Sequence, residues 1–253
     1  MSHSLAGSRV LVTRPEHQAD KLSRLIERHG GIPVGFPTLQ IIGVDDKPKA
    51  TKVITSLSNY QWLIFTSVNA VNFALKAIGG KISQFGAVQI AAIGQATALA
   101  LESAGIHVSL IPKQGFDSES LLATQSLQEV NDKAVMIIRG QGGREELASV
   151  LRSRGAIVDY WEVYKRTLPD YDKSFVASVL EQASLDVVII TSCEALQNLA
   201  TLVGSEYMQG LALMKLVVIS DRIAKSAAEM GFKHIIVTES PSDQAIIAAL
   251  IAA

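Results

Sequence analysis

The sequence predicts an α/β protein built from two similar doubly wound parallel-sheet domains. Three observations lead there. Short aliphatic runs alternate with amphipathic helical stretches along the whole chain. The composition, 48% hydrophobic but only 6% aromatic over 253 residues, gives aliphatic cores of the kind that a parallel sheet covered on both faces requires. The pattern also repeats at one spacing. Val10-Leu11-Val12-Thr13-Arg14 is echoed by Val135-Met136-Ile137-Ile138-Arg139, Gly30-Gly31-Ile32 by Gly155-Ala156-Ile157, and Leu63-Ile64-Phe65-Thr66-Ser67 by Val188-Ile189-Ile190-Thr191-Ser192, each pair 125 positions apart.

Taken in order, the near-continuous Val/Ile/Leu runs predict buried strands at 10–13, 62–66, 90–93, 108–111, 135–139, 187–191, 216–219 and 235–238. Helices fill the intervals. Leu22, Leu25 and Ile26 make one apolar stripe, and Leu147, Val150 and Leu151 make its counterpart in the repeat. Gly30-Gly31, Gly105, Gly155 and Gly231 each follow a helix and precede a strand, where a left-handed cap is needed.

The units run A–B–A′–B′, with A at 10–40, B at 60–125, A′ at 135–165 and B′ at 186–253. Two arrangements satisfy this order. Either each domain is an A followed by its B, with a boundary near 130, or the chain is interleaved, A pairing with B′ and B with A′. Segments 36–42 and 162–169 carry residues suited to extended structure (Thr38, Leu39, Ile41; Val163, Tyr164, Thr167). They are repeat equivalents able to pair as a two-stranded link. The residues alone leave both arrangements open.

Composition excludes several function classes. Lys and Arg number 23 against 24 Asp and Glu, a net charge of −1, so there is no basic field for nucleic acid. A single Cys193 precludes an internal disulfide framework and suits a reducing cytosol. No apolar stretch approaches the roughly 18 residues of a spanning helix, and no secretory leader pattern opens the chain. The five His residues are scattered without metal-ligand spacing, so no metal is expected. Gly-x-Ser-x-Gly is absent, which removes the hydrolase elbow.

The candidate chemistry lies at strand-to-helix turns. Thr66-Ser67-Val68-Asn69-Ala70 and Thr191-Ser192-Cys193-Glu194-Ala195 place Ser at helix starts, where it caps the helix and where free N–H groups attract anions. Two such turns facing one interdomain cleft would form a polyanion site. Gly94-Gln95-Ala96-Thr97 follows another strand. Its repeat equivalent, Ser220-Asp221-Arg222-Ile223, lacks the hydroxyl of Thr97. Arg14 and Arg139 end equivalent strands and suit bidentate contact with carboxylate or phosphate. Arg139-Gly140-Gln141-Gly142-Gly143-Arg144 is Gly-rich but lacks dinucleotide-loop spacing. Tyr164 reads either as a packed aromatic or as a phenol donating to a leaving hydroxyl.

Val12-Thr13-Arg14-Pro15, Phe65-Thr66-Ser67-x-Asn69-Ala70, Ala92-Ile93-Gly94-x-x-Thr97-Ala98, Ile138-Arg139-Gly140, Glu162-Val163-Tyr164-x-Arg166 and Val218-Ile219-Ser220-Asp221-Arg222, in that order along the chain, resemble the uroporphyrinogen-III synthase family. The resemblance implies the interleaved arrangement: residues 1–38 with 168–253 as one discontinuous domain, 43–163 as the other, and 39–42 and 164–167 as a two-stranded β connector acting as a hinge. It implies that hydroxymethylbilane, a linear tetrapyrrole rich in carboxylates, loses water and closes with inversion of ring D through a spiro-pyrrolenine intermediate, without cofactor or metal. It implies Tyr164 as the group assisting loss of the hydroxyl. Substrate contacts would fall at Arg14, Thr66, Ser67, Asn69, Gly94, Gln95, Ala96, Thr97, Arg139, Gly140, Thr191 and Ser192, with Ser220 or Arg222 standing in for the hydroxyl missing at Ile223. A cytoplasmic monomer is expected, free of nucleic acid and membrane, receiving its unstable substrate by transient handover from hydroxymethylbilane synthase. The competing reading is a non-enzymatic two-lobed protein that binds or senses small anions.

Overall fold

The computed structural model describes residues 4–44, 47–81, 85, 88–113, 115, 117–181 and 184–252, with the side chains of 47–50 excepted. The first stretch of elements is β1 (Arg9–Val12), α1 (Glu16–Arg28), β2 (Ile32–Gly35), β3 (Gln40–Gly43), α2 (Lys47–Ser56), a 3-10 turn (Leu57–Asn59), β4 (Trp62–Phe65), α3 (Val68–Ala77), β5 (Gln89–Ala92) and α4 (Gln95–Ser103). Then come α5 (Ser118–Leu122), α6 (Gln125–Gln128), β6 (Ala134–Gly140), α7 (Glu146–Ser153), β7 (Ile157–Thr167) and α8 (Lys173–Glu181). The chain ends with β8 (Val187–Ile190), α9 (Cys193–Leu211), β9 (Lys215–Val218), α10 (Asp221–Glu229), β10 (His234–Val237) and α11 (Asp243–Ala252). Internal contacts divide it into unit 1, residues 1–41 with 167–253, and unit 2, residues 42–166.

Unit 1 holds a sheet of order β10-β9-β8-β1-β2, parallel throughout. Alternate residues of one strand face opposite sides of a sheet, and the core divides accordingly. Leu11, Val188, Ile190, Leu216 and Val218 pack with Leu196, Leu199 and Ile223 on one face. Val10, Val12, Val187, Ile189 and Val217 pack with Leu22, Ile26, Ile246 and Leu250 on the other.

Unit 2 holds a sheet of order β3-β7-β6-β4-β5, with β7, β6, β4 and β5 parallel. Trp62, Ile64, Val135 and Ile137 cover one face together with Leu121, Leu147 and Leu151. The two sheets share a plan with the chain cut at different points. In unit 1 the A segment supplies β1 and β2 before B′ supplies β8 and β9. In unit 2 the B segment supplies β4 and β5 before A′ supplies β6 and β7. In doubly wound sheets the ligand crevice lies at the carboxyl ends of the strands where the winding reverses. That point falls between β1 and β8 in unit 1 and between β4 and β6 in unit 2.

The strands depart from expectation in three respects. Several stop one residue early: Thr13, Thr66, Ile93, Thr191, Ile219 and Thr238 lie just beyond them. The predicted strand at 108–111 is reduced to a single bridge between Ala91 and Leu110, because Pro112 lacks the N–H that would extend the ladder. The strand after Gly155 does not stop short of segment 164–167 but runs through it as the 11-residue β7. Gly30, Gly105, Gly155 and Gly231 all have positive φ, as the left-handed turn after each helix demands.

Candidate active site

In unit 2 the reversal of winding sets the ends of β4 and β6 side by side. Thr66 leaves β4 with both its N–H (3.1 Å) and its hydroxyl (3.2 Å) donating to the Ile138 carbonyl, so this hydroxyl ties the two strands together. Ser67 caps α3, its Oγ accepting the Ala70 N–H at 3.1 Å. The same Oγ lies 3.2 Å from the phenol oxygen of Tyr164. Whichever hydroxyl donates across that contact, the proton of the other remains available to a ligand.

Tyr164 is buried, 6% exposed. Its ring stacks on Phe73 with centroids 5.8 Å apart. Register shifts between Arg139 and Gly140, so that Gly140 comes opposite Tyr164. A Cβ at residue 140 would fall 2.5 Å from the Tyr164 ring, and close approach, not backbone freedom, dictates glycine there. Asn69 is half-buried in the first turn of α3. Gly94 caps α4 without a side-chain bond. Gln95 and Ala96 are exposed on its first turn, whose N–H groups have no intrahelical acceptor. Thr97 is buried, 5% exposed.

Arg139 is engaged within its own unit. Nη1 donates to the carbonyls of Gly143 (3.1 Å) and Arg144 (3.2 Å). Nη2 donates to Glu145 (2.8 Å) and Glu162 (3.3 Å). The guanidinium lies 3.7 Å from the centroid of the Tyr160 ring, and the Tyr160 hydroxyl donates to Glu145. Glu145 is held below the ordinary carboxylate range, first by that hydroxyl and then by Arg139. Burial, followed by the bond to Glu145, pushes the Tyr160 phenol up.

Unit 1 repeats the plan with different partners. Thr13, fully buried, donates its hydroxyl to the Ile189 carbonyl at 2.7 Å, tying β1 to β8 across the reversal as Thr66 ties β4 to β6. Thr191 is half-buried, and Ser192 caps α9 by accepting the Ala195 N–H at 2.9 Å. Ser220 precedes α10 without a side-chain cap bond, and Arg222 is exposed. Ile223, 2% exposed, belongs to the apolar core. Its counterpart Thr97 is also buried, so the missing hydroxyl reflects an inward-facing position filled by an apolar side chain. Arg14 pairs with Asp243 at 2.6 Å, and Lys21 stands 3.8 Å from the same carboxylate.

The structure thus gathers Thr66, Ser67, Arg139, Gly140 and Tyr164 at one sheet edge of unit 2, and Arg14, Thr191 and Ser192 at the corresponding edge of unit 1. Glu162 stood in the sequence run around Tyr164 but without a role, and sequence reasoning missed Phe73, Glu145 and Asp243. Of these, Asp243 had a local signal, an acid opening a helix after Ser242. The others are marked only by tertiary proximity. Among the described residues no group of His, Cys, Asp and Glu could hold a metal ion, and no helix is long and apolar enough to cross a membrane.

Known proteins resemble this chain throughout its length. The family model described as Uroporphyrinogen-III synthase HemD matches residues 20–248. Uroporphyrinogen-III synthase of Escherichia coli is 31% identical over 243 residues, covering 95% of this chain and 99% of that protein. The enzyme of Salmonella typhimurium is 30% identical with the same coverage. The crystal structure of uroporphyrinogen-III synthetase from Helicobacter pylori shares the fold, with a TM-score of 0.64 at 15% identity, covering 97% of this chain and 99% of that one. Since the family match runs through both units and includes every strand-to-helix turn after β4, the chain belongs to the uroporphyrinogen-III synthase family.

Proposed function

We propose that this protein closes hydroxymethylbilane to uroporphyrinogen III, with loss of water and inversion of ring D. The observation that carries the reading is the family match across residues 20–248. The alternative of a non-enzymatic anion sensor has no observation in its favour. With a net charge of −1, the protein attracts a polycarboxylate by local groups, not by its overall field. The N–H groups opening α3, α4, α9 and α10 serve this purpose, together with Thr66, Ser67, Thr191, Ser192, Ser220, Arg14 and Arg222. Without enzyme the bilane closes to the type I isomer, so catalysis consists mainly of folding the substrate so that the correct carbon of ring D attacks. Tyr164, with its hydroxyl against Ser67, assists departure of the hydroxyl group as a proton donor that need not ionise. Segments 39–42 and 164–167 act as the hinge between the two domains. The enzyme works in the cytoplasm as a monomer, without metal or cofactor, taking the bilane from hydroxymethylbilane synthase by transient contact.

The test couples the purified protein to an enzyme that generates the bilane, oxidises the products and separates the isomers chromatographically. Predominant type III uroporphyrin is the expected result. Type I at the enzyme-free rate would reject the reading.

A further inference from the structure

The first role that Arg139 suggests, binding a substrate carboxylate, conflicts with its surroundings. Of its five N–H donors, the four on Nη1 and Nη2 meet the carbonyls of Gly143 and Arg144 and the carboxylates of Glu145 and Glu162. Its Nε is buried without a partner. The side chain is 8% exposed, and Tyr160 covers the guanidinium face. No donor is left that a ligand can reach.

What the guanidinium grips is informative. Glu162 and Tyr160 lie two and four residues before Tyr164 on β7. Residues 143–145 close the loop after Gly140, whose Cα faces the Tyr164 ring. The loop returns to the same tyrosine through the Gln141 N–H, which donates to the Tyr164 carbonyl at 2.8 Å. Arg139 therefore spans the two pieces of backbone that fix where Tyr164 sits. We propose that Arg139, through Glu162, Glu145 and the 140–145 loop, is a positioning residue for Tyr164 and takes no part in binding the substrate. This rests on the cyclisation reading above.

The planar fork matters here, because a lysine supplies charge without meeting four acceptors at once. Arg139→Lys is expected to lower kcat by about tenfold or more and to raise the type I share of the product, since small misplacements of a reacting group are costly in rate. KM and its salt dependence stay as in the wild type. Glu162→Gln, which keeps shape and loses charge, shifts kcat in the same direction by a smaller factor and decides the matter should Arg139→Lys fail to fold. A rise in KM with kcat retained, together with a flatter salt dependence of KM, would show that Arg139 meets the substrate and would overturn the proposal, as would wild-type kcat in both variants. A double-mutant cycle in unfolding free energy between Arg139→Lys and Tyr164→Phe reads the same link without turnover. Coupling is expected and strict additivity would overturn the proposal. Wild-type enzyme giving only type I product, with coupling intact, would instead locate the failure in the cyclisation reading.

Discussion

Tyr164 has two separable attachments, a hydroxyl against Ser67 and a ring against Gly140 and Phe73, and two substitutions address them separately. Tyr164→Phe keeps the ring packing and removes one hydrogen bond, so it should cost only about 1 kcal/mol of stability. If the phenol assists the leaving group, kcat falls by about a hundredfold. Steady-state rates with isomer analysis check this, and full turnover with full type III selectivity would end the leaving-group role. Gly140→Ala does the reverse. Its new methyl group meets the ring at 2.5 Å, so urea melts should show a loss of about 1–3 kcal/mol from overpacking. At this scale the sequence revealed the turn residues and Tyr164, because strand-to-helix turns follow from local pattern and the tyrosine from the resemblance. It did not reveal that Arg139 is surrounded by its own acceptors. Glu145 and Glu162 reach it only after a loop closes and a strand with a register shift forms.

The helices α3 and α9 share a Thr-Ser turn and the same serine cap bond, yet Ser67 also meets the Tyr164 hydroxyl. Ser192→Ala should cost about 1 kcal/mol, as loss of an N-cap usually does. Ser67→Ala should cost more, since Tyr164 also loses its partner. Paired denaturation curves give the difference. On the β7 side, the Tyr60 hydroxyl donates to Asp159 at 2.7 Å. Burial first, and then Asp159, push this phenol to about 12 from 10.0. A raised value favours the protonated form in the folded state. Its contribution is therefore complete below the ordinary tyrosine value and is lost as pH rises through about 12. Tyr60→Phe should flatten the alkaline arm of the stability profile, measured as the urea midpoint across that window. Aliphatic runs predicted the strands well, because a buried parallel strand leaves few alternatives for such a run. They overreached at 108–111, where hydrophobicity says nothing about the missing donor of Pro112. They also said nothing about the continuity of β7, whose pairing with β6 persists past a register shift.

For the whole molecule, the constant spacing of the repeat was legible because duplicated strands keep their residue types. Which copy of A pairs with which copy of B was not, since any strand of suitable apolarity satisfies the same local pattern. Unit 2 is one continuous segment whose described core cluster, from Trp62 to Val158, lies entirely within residues 42–166. A fragment spanning those residues should fold alone, with a cooperative melt and dispersed amide resonances. Residues 1–41 alone should not, because β1 is paired on one side by β8 and its apolar face is covered by α11. A disordered spectrum from the 42–166 fragment would contradict the assignment of a self-sufficient core.

The discontinuity of unit 1 sets a schedule for the ribosome. Strands β1 and β2 leave the exit tunnel first, but β8 lies beyond the intervening residues 42–166. At a synthesis rate of about 5–20 residues per second, the amino-terminal piece waits roughly 7–30 s until β8 is complete. During that interval Val10, Val12, Leu22 and Ile26, all buried in the finished protein, have no completed core to enter, while unit 2 can already close. The newborn chain therefore passes through a stage in which its second-made half is folded and its first-made segment is exposed, the period in which chaperone capture or mispairing with a neighbouring nascent chain would act.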